Sequence, residues 1–343
     1  MELIFLGENF EPVSAPVDKY YSLEWNERYY GSGEFTLHLS TEYLPTVLMA
    51  AYVYNNDADK TMLIERIEAN DSEKRTLEIG GSSLKGLFRS RVMDKAGTYS
   101  GKVEESVRQA VTTYAMTGDR AFSLLKLGTL AGYTDTANIS NKRGITLYDW
   151  LEETLKPFEM SWDIRYDYEA NELNFTVYRG LDRTQEQETN AWAIFSTSFE
   201  NLSLFTYTRN DIDWRNYAIV SNRSGTATVA VDMTNGLGRR ELYVEADDGL
   251  SADQMAQAGM EALAEYSRVE TIGGEVQSSA NLVYGESYGL GDLCNLEDAS
   301  LGISGIARLT QMTTVVENGV IRRIPSFGEQ FLSLRQYIAR AAK

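Results

Sequence analysis

From Tyr20 to Ser40 the chain reads YYSLEWNERYYGSGEFTLHLS: an aromatic-rich run, a break at Gly31-Ser32-Gly33, and a second run in which Phe35, Leu37 and Leu39 alternate with Thr36 and His38. Alternation with period two sends one set of side chains to each face, and two such runs about a glycine-containing turn predict a β-hairpin. The aromatics Tyr20, Tyr21, Trp25, Tyr29 and Tyr30 then divide between two faces. One set can fill a core while the other meets a neighbouring subunit.

The flanking sequence continues this reading. Glu2 to Leu6, the mainly apolar Val47 to Tyr54, and a pair formed by Lys60 to Asn70 and Arg75 to Ile79 around the polar turn Asp71 to Lys74 all read as strands. Short strands with frequent turns predict a barrel or sandwich over residues 1–97. The pattern changes after Gly97. Val103, Val107, Val111 and Tyr114 form a helical stripe, and Leu147, Trp150, Leu151 and Leu155 form a second, with Thr146 as its N-cap and Pro157 as its stop. Trp162 to Asp167 and Asn171 to Tyr178 read as a hairpin, making 98–182 a mixed α+β domain.

Arg183 to Asn190, RTQEQETN, is the most linker-like segment. Strand signals resume at Ala191 to Ile194, Leu204 to Thr208, Tyr217 to Asn222, Ala227 to Asp232 and Arg240 to Glu245, and return from Val269 to Phe327. Between them, Ser251 and Gln254 form a capping box for a helix near 252–267, with Met255, Ala258, Ala262, Leu263 and Tyr266 as its stripe. Leu332, Leu334, Tyr337 and Ile338 mark a helical tail closing a third region, 183–343. The fold class expected is mainly β with an α+β insertion.

Composition removes much chemistry. The 343 residues carry a formal net charge of -18, which disfavours gripping nucleic acid, because phosphate contacts need clustered Lys and Arg. Cys294 is the only cysteine and His38 the only histidine, so no disulfide within the chain, no two-histidine metal site and no thiol cluster is available. A Cys294–His38 dyad is formally possible, but both residues sit in strand-like runs and read as packed or surface positions. MELIFLGENF lacks the basic start and cleavage site of a signal peptide. No stretch approaches the ~18 apolar residues of a bilayer span, so a soluble protein made in a reducing cytoplasm, without stable membrane insertion, is expected.

The remaining motifs read blandly. Gly80 to Gly86, GGSSLKG, lacks the order of a phosphate loop and reads as a strand-to-helix turn with Lys85 exposed. Glu152, Glu153, Asp163, Asp167, Asp247 and Asp248 could include a pair of facing carboxyls ~5 to 9 Å apart, as glycoside hydrolysis needs, but sequence shows no such separation. Asp211, Asp213, Asp247 and Asp248 do not follow calcium-loop spacing. No catalytic, cofactor-binding or metal-binding residue is assigned.

Several of these segments, in order, carry a family resemblance. Tyr20 to Ser40 resembles the N-terminal signature of the siphovirus Gp37-like tail proteins. Met62 to Arg91, MLIERIEAN through KRTLEIGGSSLKGLFRSR, resembles that family's next strand pair and short helix. Tyr284 to Asp298, YGESYGLGDLCNLED, resembles its tyrosine and LGD turn, and the ending GIARLTQMTTVVENGVIRRIPSFGE is also similar. The resemblance implies two β-barrel domains, 1–97 and 183–343, flanking the α+β domain, in a tail-tip or baseplate hub similar to the hub region of tail-associated lysin proteins. It further implies a homotrimer forming a pseudo-hexameric ring that joins tail tube to tip. The implied partners are sister chains, distal tail protein, tail tube or tape-measure proteins, and receptor-binding or tip proteins. The chain ends soon after Phe327, unlike relatives with enzymatic extensions, so a non-enzyme is expected. A wall-degrading hydrolase and a host-glycan-binding tail module are the alternatives.

Overall fold

The computed structural model describes residues 1–70, 75–231, 235–276 and 282–328. The turn Asp71 to Lys74 and the helical stripe Leu332 to Ile338 lie outside the described residues. The chain divides into two compact units, one built from Met1–Phe205 and Gly274–Ser326, the other centred on Thr206–Gly273. It is mainly β, and among the described residues no sheet closes into a barrel.

In the first unit the opening hairpin forms as its alternation dictates. Strands Ser22–Arg28 and Glu34–Ser40 pair antiparallel, with Trp25 opposite Phe35 and Leu23 opposite Leu37. Thr76–Ser82 joins the outer side of Glu34–Ser40, and Arg66–Asn70 follows as an edge strand. The long strand Ile303–Glu317 pairs along the other side of Ser22–Arg28, so strands from both ends of the sequence share one sheet. Against it packs a small sheet ordered Leu3–Leu6, Tyr52–Asn55, Lys60–Leu63. Leu3, Phe5, Val53 and Met62 meet Leu23, Trp25, Phe35, Leu37 and Leu77 in one buried core.

Two strand assignments change. Lys60 to Asn70 is broken at Ile64-Glu65 into Lys60–Leu63 and Arg66–Asn70, which enter different sheets. Val47 to Tyr54 yields a strand only at Tyr52–Asn55, because Pro45 starts a helical turn at Leu44–Val47.

A second core joins helices to a three-stranded sheet. Helix Val103–Ala115 buries Val103, Val107, Ala110, Val111 and Tyr114. Helix Leu147–Leu155 starts as expected, the Thr146 hydroxyl accepting from the Asp149 N–H. Pro157 lies in a following 3₁₀ turn, and Glu159 turns left-handed to end it. Both helices cover the hairpin Ser161–Asp167 and Glu172–Tyr178, which Leu125–Leu127 extends in parallel. Sequence periodicity missed the strand Gly97–Lys102, paired with Thr136–Asn141, because its side chains are nearly all small or exposed.

The second unit is a three-stranded sheet with Tyr217–Asn222 between Gly225–Ala230 (antiparallel) and Glu241–Glu245 (parallel). Helix Ala252–Glu265 packs on it through Met255 and Leu263 against Ala218 and Val220. The Ser251–Gln254 capping box is present in both directions.

Among the described residues no helix is long and apolar enough to cross a membrane. Glu104, 1% exposed, shows how the loop after the short strand is held: its carboxylate accepts the N–H groups of Ala131 (2.7 Å), Gly132 (2.8 Å) and Tyr133 (3.2 Å). Glu104→Gln keeps the shape but loses charge-assisted acceptors and points an amide N–H₂ at donors. It should cost about 2 kcal/mol in urea unfolding. An unchanged midpoint would show that this clamp contributes nothing.

Candidate functional site

The centre of the first unit is a polar junction where the opening hairpin meets the α+β layer and the LGD turn. The hairpin bend exposes main-chain carbonyls at Tyr29 and Gly31, and burying them without donors would be costly. Lys85, on the 3₁₀ helix Leu84–Ser90, supplies those donors. Its Nζ donates to Tyr29 O (3.1 Å), Gly31 O (3.0 Å) and Ser161 Oγ (3.2 Å), and lies 3.7 Å from Glu152. The Ser161 hydroxyl also donates to Tyr29 O. Glu152, on the second helix, accepts the Gly31 N–H at 2.7 Å. The expected exposed lysine is therefore only 3% exposed, because its three N–H groups find two acceptors in this bend and a third in the Ser161 hydroxyl. Burial pushes its ammonium down from the ordinary lysine value, and Glu152 and Asp163 partly offset that shift.

Tyr29 carries the junction to the C-terminal strands. Fully buried, it donates its hydroxyl to Glu159 O at 2.7 Å and presses its ring on Gly291. Gly291 has φ +90, and a Cβ there would run into that ring; Gly180 backs onto the same main chain equally closely. Asp292, next in the LGD turn, accepts from Leu181 N (2.7 Å), Gly289 N (2.9 Å) and Arg183 Nε (2.7 Å). Arg308 closes the group, donating to Gly291 O and pairing with Glu159 at 2.6 Å. The aromatic hairpin and the LGD turn, which lie far apart in sequence, are thus direct partners.

Beside the junction lies a cleft of about 40 Å³, lined by Glu27, Lys60, Lys85, Asp163, Arg165 and Tyr178 among others. That is room for a water or two, far below the ~300 to 1,000 Å³ of small-molecule sites. Burial pushes the Asp163 carboxyl up, but Lys60 (3.4 Å), Arg165 (3.2 Å) and Lys85 more than offset it and hold it below the usual carboxylate range. A general acid for glycoside hydrolysis needs the opposite shift.

The other singled-out residues do not converge. His38 bridges neighbouring strands, its ring 3.1 Å from both Ser22 Oγ and Glu78 Oε2. Cys294 is fully buried, its thiol directed to Asp292 O and pushed well up by burial. Their partners lie elsewhere, so no dyad forms. Asp211 is bound by Arg209 and Arg268, Asp248 by Arg223, and no cluster of metal-ligating side chains occurs among the described residues. Of the opening aromatics, Trp25 and Tyr29 are core and Tyr21 is 51% exposed. The linker-like Arg183 to Asn190 is instead an ordered loop, with Arg183 tied to Asp292 and Thr184 buried.

The arrangement is a mainly β fold knit by a buried polar junction, and solved tail proteins share that fold. The tail protein of Neisseria meningitidis MC58 superposes with TM-score 0.63 at 12% identity, over 96% of each chain. The 43 kDa tail protein of prophage MuSo2 from Shewanella oneidensis gives TM-score 0.63 at 11% identity, over 95% of this chain and 96% of that one. Prophage tail protein gp18 from Listeria monocytogenes EGD-e gives 0.55 at 10% identity, over 100% and 98%. No curated protein matches the sequence. The chain belongs to the Siphovirus ReqiPepy6 Gp37-like protein family, whose model matches residues 13–329. The family is a siphovirus one, and the chain shares the fold of solved phage tail proteins.

Two measurements probe the junction. Lys85→Met should destabilise the chain by about 3 kcal/mol, because the half-buried Gly31 O and Glu152 lose their cation; an unchanged thermal midpoint would refute this. Tyr29, Tyr178, Tyr284 and Tyr288 are all pushed up, first of all by burial. An unfolded chain ionises these phenols near pH ~10, whereas the folded one keeps them protonated. Their stabilisation is therefore complete below that pH and is lost as pH climbs above it. The part of the tyrosinate absorbance that comes from these four phenols should appear together with loss of the β circular-dichroism signal, not before it.

Proposed function

We propose that this chain is a structural hub of the phage tail tip or baseplate: a homotrimer whose pseudo-hexameric ring joins the tail tube to the tip and lets DNA pass or holds it closed. The observation that carries the reading is the junction itself. It places a buried cation, carboxylates and close-packed glycines where they fix strands from both ends of the chain, and the cleft beside it, among the described residues, has room for only a water or two. A protein whose product is a shape needs that investment in rigidity.

Family membership and the shared fold of three tail proteins support the tail assignment. The two β-barrel domains, 1–97 and 183–343, and the α+β domain, 98–182, are part of this proposal, with barrel closure belonging to the assembled ring. Open strand edges such as Arg66–Asn70, exposed along its length, are consistent with contacts made on assembly. The net charge of -18 suits a conduit that must not retain DNA. In this reading no residue is catalytic. The partners are sister chains, distal tail protein, tail tube or tape-measure proteins, and receptor-binding or tip proteins.

Mass measurement in solution tests it. The purified chain, alone or with a tail-tube or distal-tail ring, should form a species three times its 38.5 kDa mass, and class-averaged micrographs should show a three-fold ring with a central opening. A monomer that degrades peptidoglycan and loses activity on a single Glu→Gln change would overturn the proposal. A monomer that binds host glycan would do the same.

A further inference from the structure

The loop from Arg183 to Ala193 is far more ordered than its composition requires. Its neck is closed by Ala193 N donating to Arg183 O (2.8 Å) and by Asn190 Nδ2 donating to Asp182 O (2.9 Å). Arg183 fastens it to Asp292, and Gln185 N to Asn295 Oδ1 at 2.8 Å. Inside, the Gln187 amide acts as a hub. Its Nε2 donates to Thr184 O and Asn190 O (both 3.0 Å), while its Oε1 accepts from Thr189 N and Asn190 N (both 2.7 Å).

This scaffold presents one large side chain. Trp192 is 52% exposed, while Trp25, Trp150 and Trp162 are at most 2% exposed. Its indole N–H donates to Gln187 O at 2.9 Å, so the ring is oriented before any contact is made. Phe199, 60% exposed, lies in the turn that directly follows the short strand Ile194–Ser196. That strand pairs with Leu293–Asp298 on one side. On the other, the Asn201 amide accepts from Ser196 N (2.9 Å) and donates to Ile194 O (2.8 Å). An incoming strand finds this edge already taken, so recognition here runs through side chains.

Charge selects the occupant. Between Gly180 and Phe205 stand Asp182, Glu186, Glu188 and Glu200 against Arg183 alone, and Arg183 is engaged with Asp292. Glu186, Glu188 and Glu200 are exposed. A pre-oriented tryptophan within a stretch of exposed carboxylates fits an apolar pocket edged with cations. A second copy of this chain, with 50 acidic and 32 basic residues, offers mainly like charge. We propose that the Arg183–Ala193 loop is a preformed docking element, anchored by Trp192, for a different protein of the tail that presents an apolar pocket rimmed by lysine or arginine. This rests on placement in the tail and not on the hub reading.

The test compares intact virions with the purified chain. Tryptophan oxidation by N-bromosuccinimide, read by peptide mass spectrometry, should be at least 10-fold slower at Trp192 in the virion. Carbodiimide treatment of virions should link Glu186 or Glu188 to a lysine of another tail protein. That protein, purified, should bind Trp192→Ala at least 30-fold more weakly than the parent chain, with the chain's own assembly mass unchanged. Equal oxidation in both samples would overturn the proposal, whether both are fast (a free surface) or both slow (a second copy). Cross-links confined to lysines of this chain would overturn it as well. A solution mass that refuted the trimer would leave these readouts unaffected.

Discussion

Burial of one ammonium group conditions the rest of the first unit. A tight bend after Ser22–Arg28 turns the Tyr29 and Gly31 carbonyls toward the α+β layer, the first buried and the second half-buried once the layers meet. Lys85 answers both and reaches Ser161 as well, with Glu152 supplying the counter-charge and holding the Gly31 N–H. A buried cation is costly by itself, and it persists here because every donor has an acceptor. The bend, the 3₁₀ helix, the second helix and the hairpin at Ser161 are fixed relative to one another by the same few atoms.

The second half of the junction works by shape. The Tyr29 ring occupies the space above Gly291, and Gly180 the space behind it, so two backbones and an aromatic ring approach to a distance that leaves no room for a Cβ. Asp292 then ties the strand leaving the α+β layer, the LGD turn and the start of the Arg183 loop. Such a node resists sliding of the sheet more than it stabilises any single strand, which suits a protein acting through its geometry.

Much of the fold was legible because local periodicity and capping decide it. The alternation around Trp25, Phe35 and Leu37, the stripe Val103-Val107-Val111, the Thr146 cap and the Ser251–Gln254 box each act over a few residues, and all appear in the structure. Misreadings arose where a long-range contact overrides local pattern. Lys85 looks exposed until Tyr29, 56 positions earlier, offers its carbonyl. RTQEQETN looks like a linker because its stabilising groups, the Gln187 amide and Asp292, carry no hydrophobic signature. Gly97–Lys102 packs only the Tyr99 ring inward, against Trp150, and leaves no periodic trace.

Local sequence carries the β-rich class, the helical insertion, the scarcity of histidine and cysteine and, through ordered motifs, the tail-protein resemblance. Those features are written in neighbours a few residues apart. Only tertiary structure decided why the motifs are what they are. The aromatic hairpin needs Tyr29 because Gly291 receives its ring; the LGD turn needs its aspartate because Leu181 and Arg183 bring donors there; the GGSSLKG turn needs its lysine because the hairpin's carbonyls would otherwise be buried unpaired. Hydrogen-bond demand created by packing is a non-local quantity, and one strand's sequence does not contain it.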